Sequence, residues 1–416
     1  MALAVRATWL LVYQRPADGV FSDMAGYVAR AQALLQGQDD ETCFPPGAHW
    51  FYGAQLALWG PDGLGAMGWV HVVLGASLAP LSALLARRVS GTVAAAAVVG
   101  GLVAIWHPLV TFGGYFSSEL PFAVALLASV LGWVRWLQTG RGAVVPGVAM
   151  GLAYLIRPTA LLAFVLLFVW SCLRGLGSRR GRFTVLAPVL LAILLGAARY
   201  HDRTGRWGLI SDNGAVASFF AWTDYLGLQA TPPPGAPVPV QRGFHPPSRN
   251  TRDFLPDYTY TGLRCDPTPL LAERDRVIAA SSATTLAARV LRNVTSLFAG
   301  NPLWPERTRA TEGFRQALQT QWPWVVTAAL LPLSCLGLVC HLLSFRSPRP
   351  SKRRTARTTV AVCLLSAVLA AAAYTGEVRY RVPYDPLLLV FAVYGVGCVV
   401  RCLRELRGGE PGAPSA

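Results

Sequence analysis

The sequence predicts an all-α polytopic membrane protein of about ten transmembrane helices, with an outward-facing first loop and a second, long outward loop. Three observations carry this prediction. The 416 residues are 53% apolar and only 14% charged, where an average soluble chain is about 25% charged. The apolar residues come in runs, several of which reach the roughly 17–25 residues that a helix needs to cross a hydrocarbon core. The basic residues fall in every second loop. Intrinsic disorder is excluded, because it requires low hydrophobicity. A formal charge of +16 taken alone suggests nucleic acid, but its segregation from the apolar runs excludes that partner.

The runs are 1–14, 66–86, 92–112, 119–137, 143–156, 159–173, 183–199, 323–343, 359–374 and 386–403. The first is short, and no small-residue cleavage site follows it, which argues against a secretory signal. The second closes on Arg87-Arg88, and the third ends beyond His107-Pro108. The fourth starts at Glu119 and carries Arg135 near its end. Arg157-Pro158 divides the fifth from the sixth, because proline disfavours helix in the residue before it. Arg174 to Arg182 introduce the seventh, the 346–357 cluster precedes the ninth, and Arg401, Arg404 and Arg407 close the tenth. The segments read as cytoplasmic hold 17 basic residues against two acids, Glu405 and Glu410. That is the positive-inside pattern, with both termini inside. Merging runs five and six into one bent span would place Arg179-Arg180 and the 346–357 cluster on opposite faces, so the count stays at ten.

Two sizeable segments then face outward, 15–65 and 200–322. The prolines from Pro232 to Pro247 exclude continuous helix in the second, while 270–299 reads as helical, with Leu286, Val290, Val294 and Leu297 on one stripe. No repeat of 20–50 residues is visible. Lys352 is the single lysine among 37 basic residues, a coding bias that points to a bacterial source and so to the cytoplasmic (inner) membrane. The eight cysteines lack metal-ligand spacing. Cys43 and Cys265 are the two on the outward side, where a disulfide and two free thiols are both open. Asn293-Val294-Thr295 is a sequon that carries no weight in a bacterial chain.

Polar groups at membrane depth default to function or pairing. A helix starting at Ser22 puts Asp23, Tyr27, Arg30 and Leu34 on one face, with Ala31, Leu34 and Leu35 suited to an amphipathic helix lying at the interface. Asp23 is either an ordinary first-turn acid or a site residue. Glu119 is the only acid between Asp62 and Asp202; it caps its helix or lines a site. Arg157, alone between two apolar helices, snorkels to lipid headgroups or meets an anion. Arg379 and Arg381 flank Tyr380 and can grip a phosphate by bidentate contacts; the competing reading is an internal pair with Glu377 or Asp385.

These pieces together resemble the GT-C integral-membrane glycosyltransferases, and within them the glycosyltransferase-39-like group, related to protein O-mannosyltransferases and the aminoarabinose transferases of lipid A. The resemblance rests on Phe21-Ser22-Asp23-Met24 with Tyr27, then Ala31, Leu34, Leu35 and Gly37, then Phe44-Pro45-Pro46-Gly47 and Ala86-Arg87-Arg88. It continues through His107-Pro108, Ser118-Glu119-Leu120, Gly151-Leu152-Ala153 with Arg157-Pro158, Gly208-Leu209-Ile210-Ser211 before Asn213-Gly214, and Arg379-Tyr380-Arg381-Val382-Pro383. It covers 1–220 well and 375–405 moderately. Met24 stands where many relatives carry a second acid. The resemblance implies a GT-C-type helical bundle in three parts: a transmembrane module over 1–199, an outward (periplasmic) loop or small domain over 200–322, and a C-terminal transmembrane module over 323–416. It implies an inverting hexosyl- or pentosyltransferase of the cell envelope, using a polyprenyl-phosphate-linked sugar and an acceptor glycan, lipid or protein.

By the same resemblance Asp23 is the general base on the acceptor hydroxyl. Tyr27, Glu119, Arg157, Arg379, Tyr380 and Arg381 are then substrate-binding candidates, the arginines facing the leaving phosphate. Glu119 orients the acceptor or a bound divalent cation; no other cofactor is implied. A polytopic transporter or lipid-carrier flippase is the alternative, although such proteins place polar residues at mid-bilayer and carry repeats.

Overall fold

Every one of the ten apolar runs carries helix in the computed structural model, which describes residues 1–18, 20, 23–38, 42–223, 267–299, 322, 324–346, 351–374 and 376–407. Helix α1 (Ala2–Thr8) continues as a π-helical turn over Trp9–Tyr13. It is followed by α2 (Asp23–Leu35), α3 (Pro46–Trp59), α4 (Leu64–Ser90), α5 (Val93–Ile105), α6 (His107–Thr111) and α7 (Glu119–Thr139). Next come α8 (Val144–Ile156), α9 (Ala160–Leu173), α10 (Arg179–Thr204), α11 (Asn213–Trp222), α12 (Thr268–Ala280) and α13 (Ala283–Phe298). The last set is α14 (Leu331–Leu343, entered through a π-helical Val325–Leu330), α15 (Lys352–Ala373), α16 (Val378–Arg381) and α17 (Asp385–Arg407). No strand occurs among the described residues. The segments 224–266 and 300–321, and with them Cys265 and the proline cluster, lie outside the described residues, as do Phe21 and Ser22.

Six of the described helices are long and apolar enough to cross a membrane: Leu64–Ser90, Glu119–Thr139, Arg179–Thr204, Val325–Leu343, Lys352–Ala373 and Val378–Leu406. Helices α5, α8 and α9 are apolar but shorter, at 13, 13 and 14 residues, about 20 Å each at 1.5 Å per residue. The protein is therefore a helical, multi-pass membrane protein.

The helix ends follow local chemistry. Thr92, Ser178, Ser282 and Ser351 each accept a bond from a backbone N–H in the first turn of the helix they precede, satisfying donors that the helix cannot. Gly91, Gly140 and Gly205 end α4, α7 and α10 in the left-handed conformation. Arg157 is extended (φ −144°, ψ 113°) between α8 and α9, as the proline after it requires. Helix α7 is central, packed on α4, α8 and α15, and it supplies the fully buried Phe122, Trp133 and Trp136. Helix α17 closes the bundle against α14, α4 and α5.

Two sequence expectations change. Helix α2 does not lie free at an interface: Met24, Val28 and Ala31 are buried against the protein, chiefly on α3, while Leu35 is half exposed. Arg6, in the first apolar run, is fully buried and donates to the carbonyls of Ala104 (2.9 Å) and Val103 (3.2 Å) at the end of α5, where helical donors run out. Gly75 makes room for it, since a Cβ there would lie 2.6 Å from Arg6 Nε. The 270–299 segment divides into α12 and α13 at Ser281-Ser282, with the expected stripe facing inward. Asn293 is buried and donates to the Ala221 carbonyl at 3.1 Å, which puts the sequon out of reach. Cys43 is disulfide-bonded, and the six other described cysteines are free.

Candidate active site

Four chain segments, far apart in sequence, meet at the end of the bundle that the charge pattern reads as outward. Asp23 opens α2, where the helix dipole favours an acid. Its neighbour, the Met24 backbone N–H, donates to the hydroxyl of Tyr115 at 3.2 Å. Tyr115 belongs to the buried stretch Tyr115-Phe116-Ser117-Ser118, which runs straight into Glu119 at the start of α7. The Tyr52 hydroxyl donates to the Ser117 carbonyl at 2.7 Å and so ties α3 to the same stretch. Arg157 arrives from the α8–α9 junction and Arg379 from α16.

The side chains form one charged cluster. Arg379 donates to Asp23 Oδ2 at 2.5 Å and is ion-paired with Glu377, Nε lying 2.7 Å from Oε2. Its other terminal nitrogen reaches the Tyr380 hydroxyl at 3.2 Å. Arg157 is ion-paired with Glu119 and donates through Nε to Ser118 Oγ at 2.9 Å. The Tyr380 ring lies between the two cations, 5.2 Å from the Arg157 guanidinium and 5.1 Å from that of Arg379, within cation–π range. The Tyr27 hydroxyl meets Ser118 and senses both Glu119 and Asp23. Burial, then the Glu119 carboxylate, push the Tyr27 phenol above its usual range, so it remains a neutral donor. Asp23 and Arg379 are about a quarter exposed, whereas Glu119 is buried. The cluster is therefore reached by solvent at Asp23 and closed off at Glu119.

Of the residues singled out from the sequence, Asp23, Tyr27, Glu119, Arg157, Arg379 and Tyr380 come together. Arg381 does not. It is 1% exposed and points the other way, to Asp385 Oδ1 at 2.8 Å and to the carbonyls of Phe298 (3.2 Å) and Leu297 (3.4 Å) at the end of α13. Trp106 Nε1 takes the second Asp385 oxygen at 2.7 Å. Arg381 thus ties α16, α17, α13 and the α5–α6 link together. Glu377, Ser118 and Tyr115 belong to the cluster or its support without having been singled out as binding residues; their adjacency to Arg379 and Glu119 was the available signal. Each carboxylate of the cluster is held by a guanidinium, and among the described residues no group of three His, Cys, Asp or Glu side chains converges as metal ligands do. This arrangement does not assemble a donor set for a divalent cation, and no role is assigned to one.

The sequence matches no protein-family model and no curated protein. The fold is similar to that of the Archaeoglobus fulgidus oligosaccharyltransferase in two crystal structures. Against the apo form the TM-score is 0.53 at 15% identity, covering 98% of this chain and 50% of that one. Against the form tethered by a disulfide to an acceptor peptide containing the NVT sequon, it is 0.54 at 14% identity, covering 99% and 50%. The chain spans about half the length of the solved structures it matches. Its fold is GT-C-like, the helical membrane architecture of that oligosaccharyltransferase.

Proposed function

We propose that this protein is a membrane glycosyltransferase that moves a sugar from a polyprenyl-phosphate donor to an acceptor hydroxyl at the outer face of the bacterial cytoplasmic membrane, with inversion at the anomeric carbon. In this reading the chain crosses the membrane ten times with both termini inside, and divides at about 199 and 322 as the sequence suggests. The observation that carries it is the bond between Asp23 and Arg379, which sets a partly exposed carboxylate beside a cation.

The chemistry follows from what each group can do. An attacking hydroxyl must lose its proton, and Asp23 is the carboxylate placed to accept it. As the bond from the anomeric carbon to the phosphate oxygen breaks, negative charge grows on the phosphate, and Arg379 and Arg157 are oriented to meet it. Tyr380 holds the two guanidiniums apart, and Glu119 with Ser118 fixes Arg157. Arg379 is shared: the arriving phosphate competes with Asp23 for its N–H groups and leaves the carboxylate free to act as base. Tyr27, a neutral donor, is placed to orient the acceptor.

The test is transfer of label from a panel of radiolabelled polyprenyl-phosphate sugars by membranes carrying the parent or Asp23→Asn at matched abundance. Loss of a positioned general base lowers the rate by about 10²–10⁴-fold. An Asp23→Asn protein with full activity on the donor used by the parent would remove Asp23 from this role. A parent that moves no sugar from any polyprenyl phosphate would remove the donor class.

A further inference from the structure

We propose that the groove between the basic ends of α4 and α7 is a binding site for the headgroup of an anionic glycerophospholipid. This inference is independent of the glycosyl-transfer reading. A cavity of ≈ 640 Å³ opens there, lined by Leu84, Arg88, Leu131, Arg135, Thr139 and Arg141. Its size falls within the roughly 300–1,000 Å³ of small-molecule sites. It lies on the face that the charge pattern reads as cytoplasmic, at the opposite ends of α4 and α7 from Asp23 and Glu119.

Three features make this more than a solvated basic rim. First, the arginines come from separate elements and converge: Arg88 from α4, Arg135 from α7, and Arg141 from the turn that follows. That turn is built for the purpose. Arg141 sits between Gly140 (φ 72°) and Gly142 (φ 77°), both in the left-handed region that side chains rarely adopt, and its backbone N–H is held by Thr139 Oγ1 at 3.2 Å. Second, the positive charge is uncompensated. Arg135 and Arg141 make no side-chain hydrogen bond or ion pair among the described residues, and Arg88 reaches only the neutral Gln138 Oε1 at 3.1 Å. Gln138 in turn donates to the Lys352 carbonyl at 2.8 Å, and the Arg353 guanidinium lies against Gly91 at the end of α4. Third, the wall carries apolar side chains, Leu84 and Leu131, and Leu84 is 52% exposed.

Arginine donors arranged around a recess bind phosphate by paired, charge-assisted bonds. An exposed leucine beside them at the bilayer edge suits acyl chains and not a soluble anion. Membrane orientation requires basic loops, but it requires neither convergence on one cavity nor a glycine-bracketed turn. Basic pockets between transmembrane helices on the cytoplasmic side bind anionic headgroups for these reasons.

The experiment is native mass spectrometry of the full-length protein in detergent with equimolar dioleoyl phosphatidylglycerol and dioleoyl phosphatidylcholine, reading the ratio of the two lipids retained. The parent retains phosphatidylglycerol in preference. Arg141→Gln lowers that preference by about fivefold and the triple variant R88Q/R135Q/R141Q by at least about 30-fold, from the usual strength of one basic residue at an anionic surface. The double variant R174Q/R180Q, two exposed arginines of the same face outside the cavity, leaves it unchanged. If the triple variant fails to insert, Arg141→Gln reads the same site, because it sits in a turn and leaves the other basic residues in place. The proposal is overturned if Arg141→Gln keeps the parent preference, if R174Q/R180Q loses as much, or if glycerol phosphate without acyl chains displaces the lipid at equal concentration.

Discussion

Arg381 and Asp385 make the sharpest stability prediction. Their side chains are 2% and 0% exposed, and both are bonded inside the bundle: Arg381 to Asp385 and two carbonyls of α13, Asp385 to Arg381 and Trp106. Asp385→Asn keeps the shape but leaves a buried guanidinium without its counter-charge. Arg381→Met leaves a buried carboxylate with one remaining donor and strips Leu297 and Phe298 of theirs. Breaking a buried pair from either side costs about 3–5 kcal/mol. The double variant carries no buried charge, and its remaining cost is the two carbonyls, about 1–3 kcal/mol each when unsatisfied. The two single losses therefore sum to about 6–10 kcal/mol, while the double variant loses about 2–6 kcal/mol, which gives a coupling of roughly 4 kcal/mol. Thermal unfolding in detergent at one scan rate, followed by the loss of monodisperse protein, should place each single variant at least about 5 °C below the parent. The double variant should fall about as far as one single variant, well short of the two losses added together. Single variants within 1 °C of the parent (a threshold of about one part in five of the expected shift), or a double variant as low as the two losses added together, would refute this account of Arg381.

Two further predictions concern the charged cluster and the helices beside it. Arg379→Gln should lower transfer by about 10²–10³-fold, the usual loss for one charge-stabilising donor, and should multiply with Asp23→Asn; a double variant no worse than Asp23→Asn would mean that Arg379 only anchors the base. His49 should make stability fall on acidification. It accepts a bond from Arg30 Nε at 3.2 Å; burial first, then Arg30 and Arg199, hold its imidazole well below the usual 6.5. The unfolded chain takes up a proton near pH 6.5 that the folded chain refuses, so stability is full above that pH and falls below it by up to about 1.4 kcal/mol per pH unit. His49→Gln should flatten the slope of melting temperature against pH between 6.5 and 5 (the window below the usual imidazole value). Identical slopes for parent and variant would assign the effect elsewhere.

The helical segments were legible because an apolar run is a statement about solvent, and each run did become helix. How many cross was less legible, since α5, α8 and α9 are shorter than a bilayer and their depth depends on packing. Most of the cluster was also legible, because Asp23, Glu119 and Arg157 are charges in otherwise apolar surroundings. Arg381 was not. Read as a pair flanking a tyrosine, Arg379 and Arg381 look equivalent, but two positions along a helix they lie about 200° apart, and α16 is helical. One turns to the cleft, the other to Asp385 four residues on. Arg6 was not legible either: a charge count along the sequence carries no depth, and only the packing of α1 on α5 shows which carbonyls it meets. Tyr52 left no trace in the sequence, being a neutral aromatic in an aromatic-rich chain.

The bond between Asp23 and Arg379 spans 356 residues, and this sets a timetable. At about 5–20 residues per second, a ribosome needs roughly 20–70 s between making one partner and the other. Throughout that interval the earlier helices are already leaving the ribosome while the cleft lacks the guanidinium that holds its acid. A chain that stops before Val378 carries the carboxylate without its cation. The charged cluster is thus incomplete for nearly the whole synthesis and closes late, once α16 is in place.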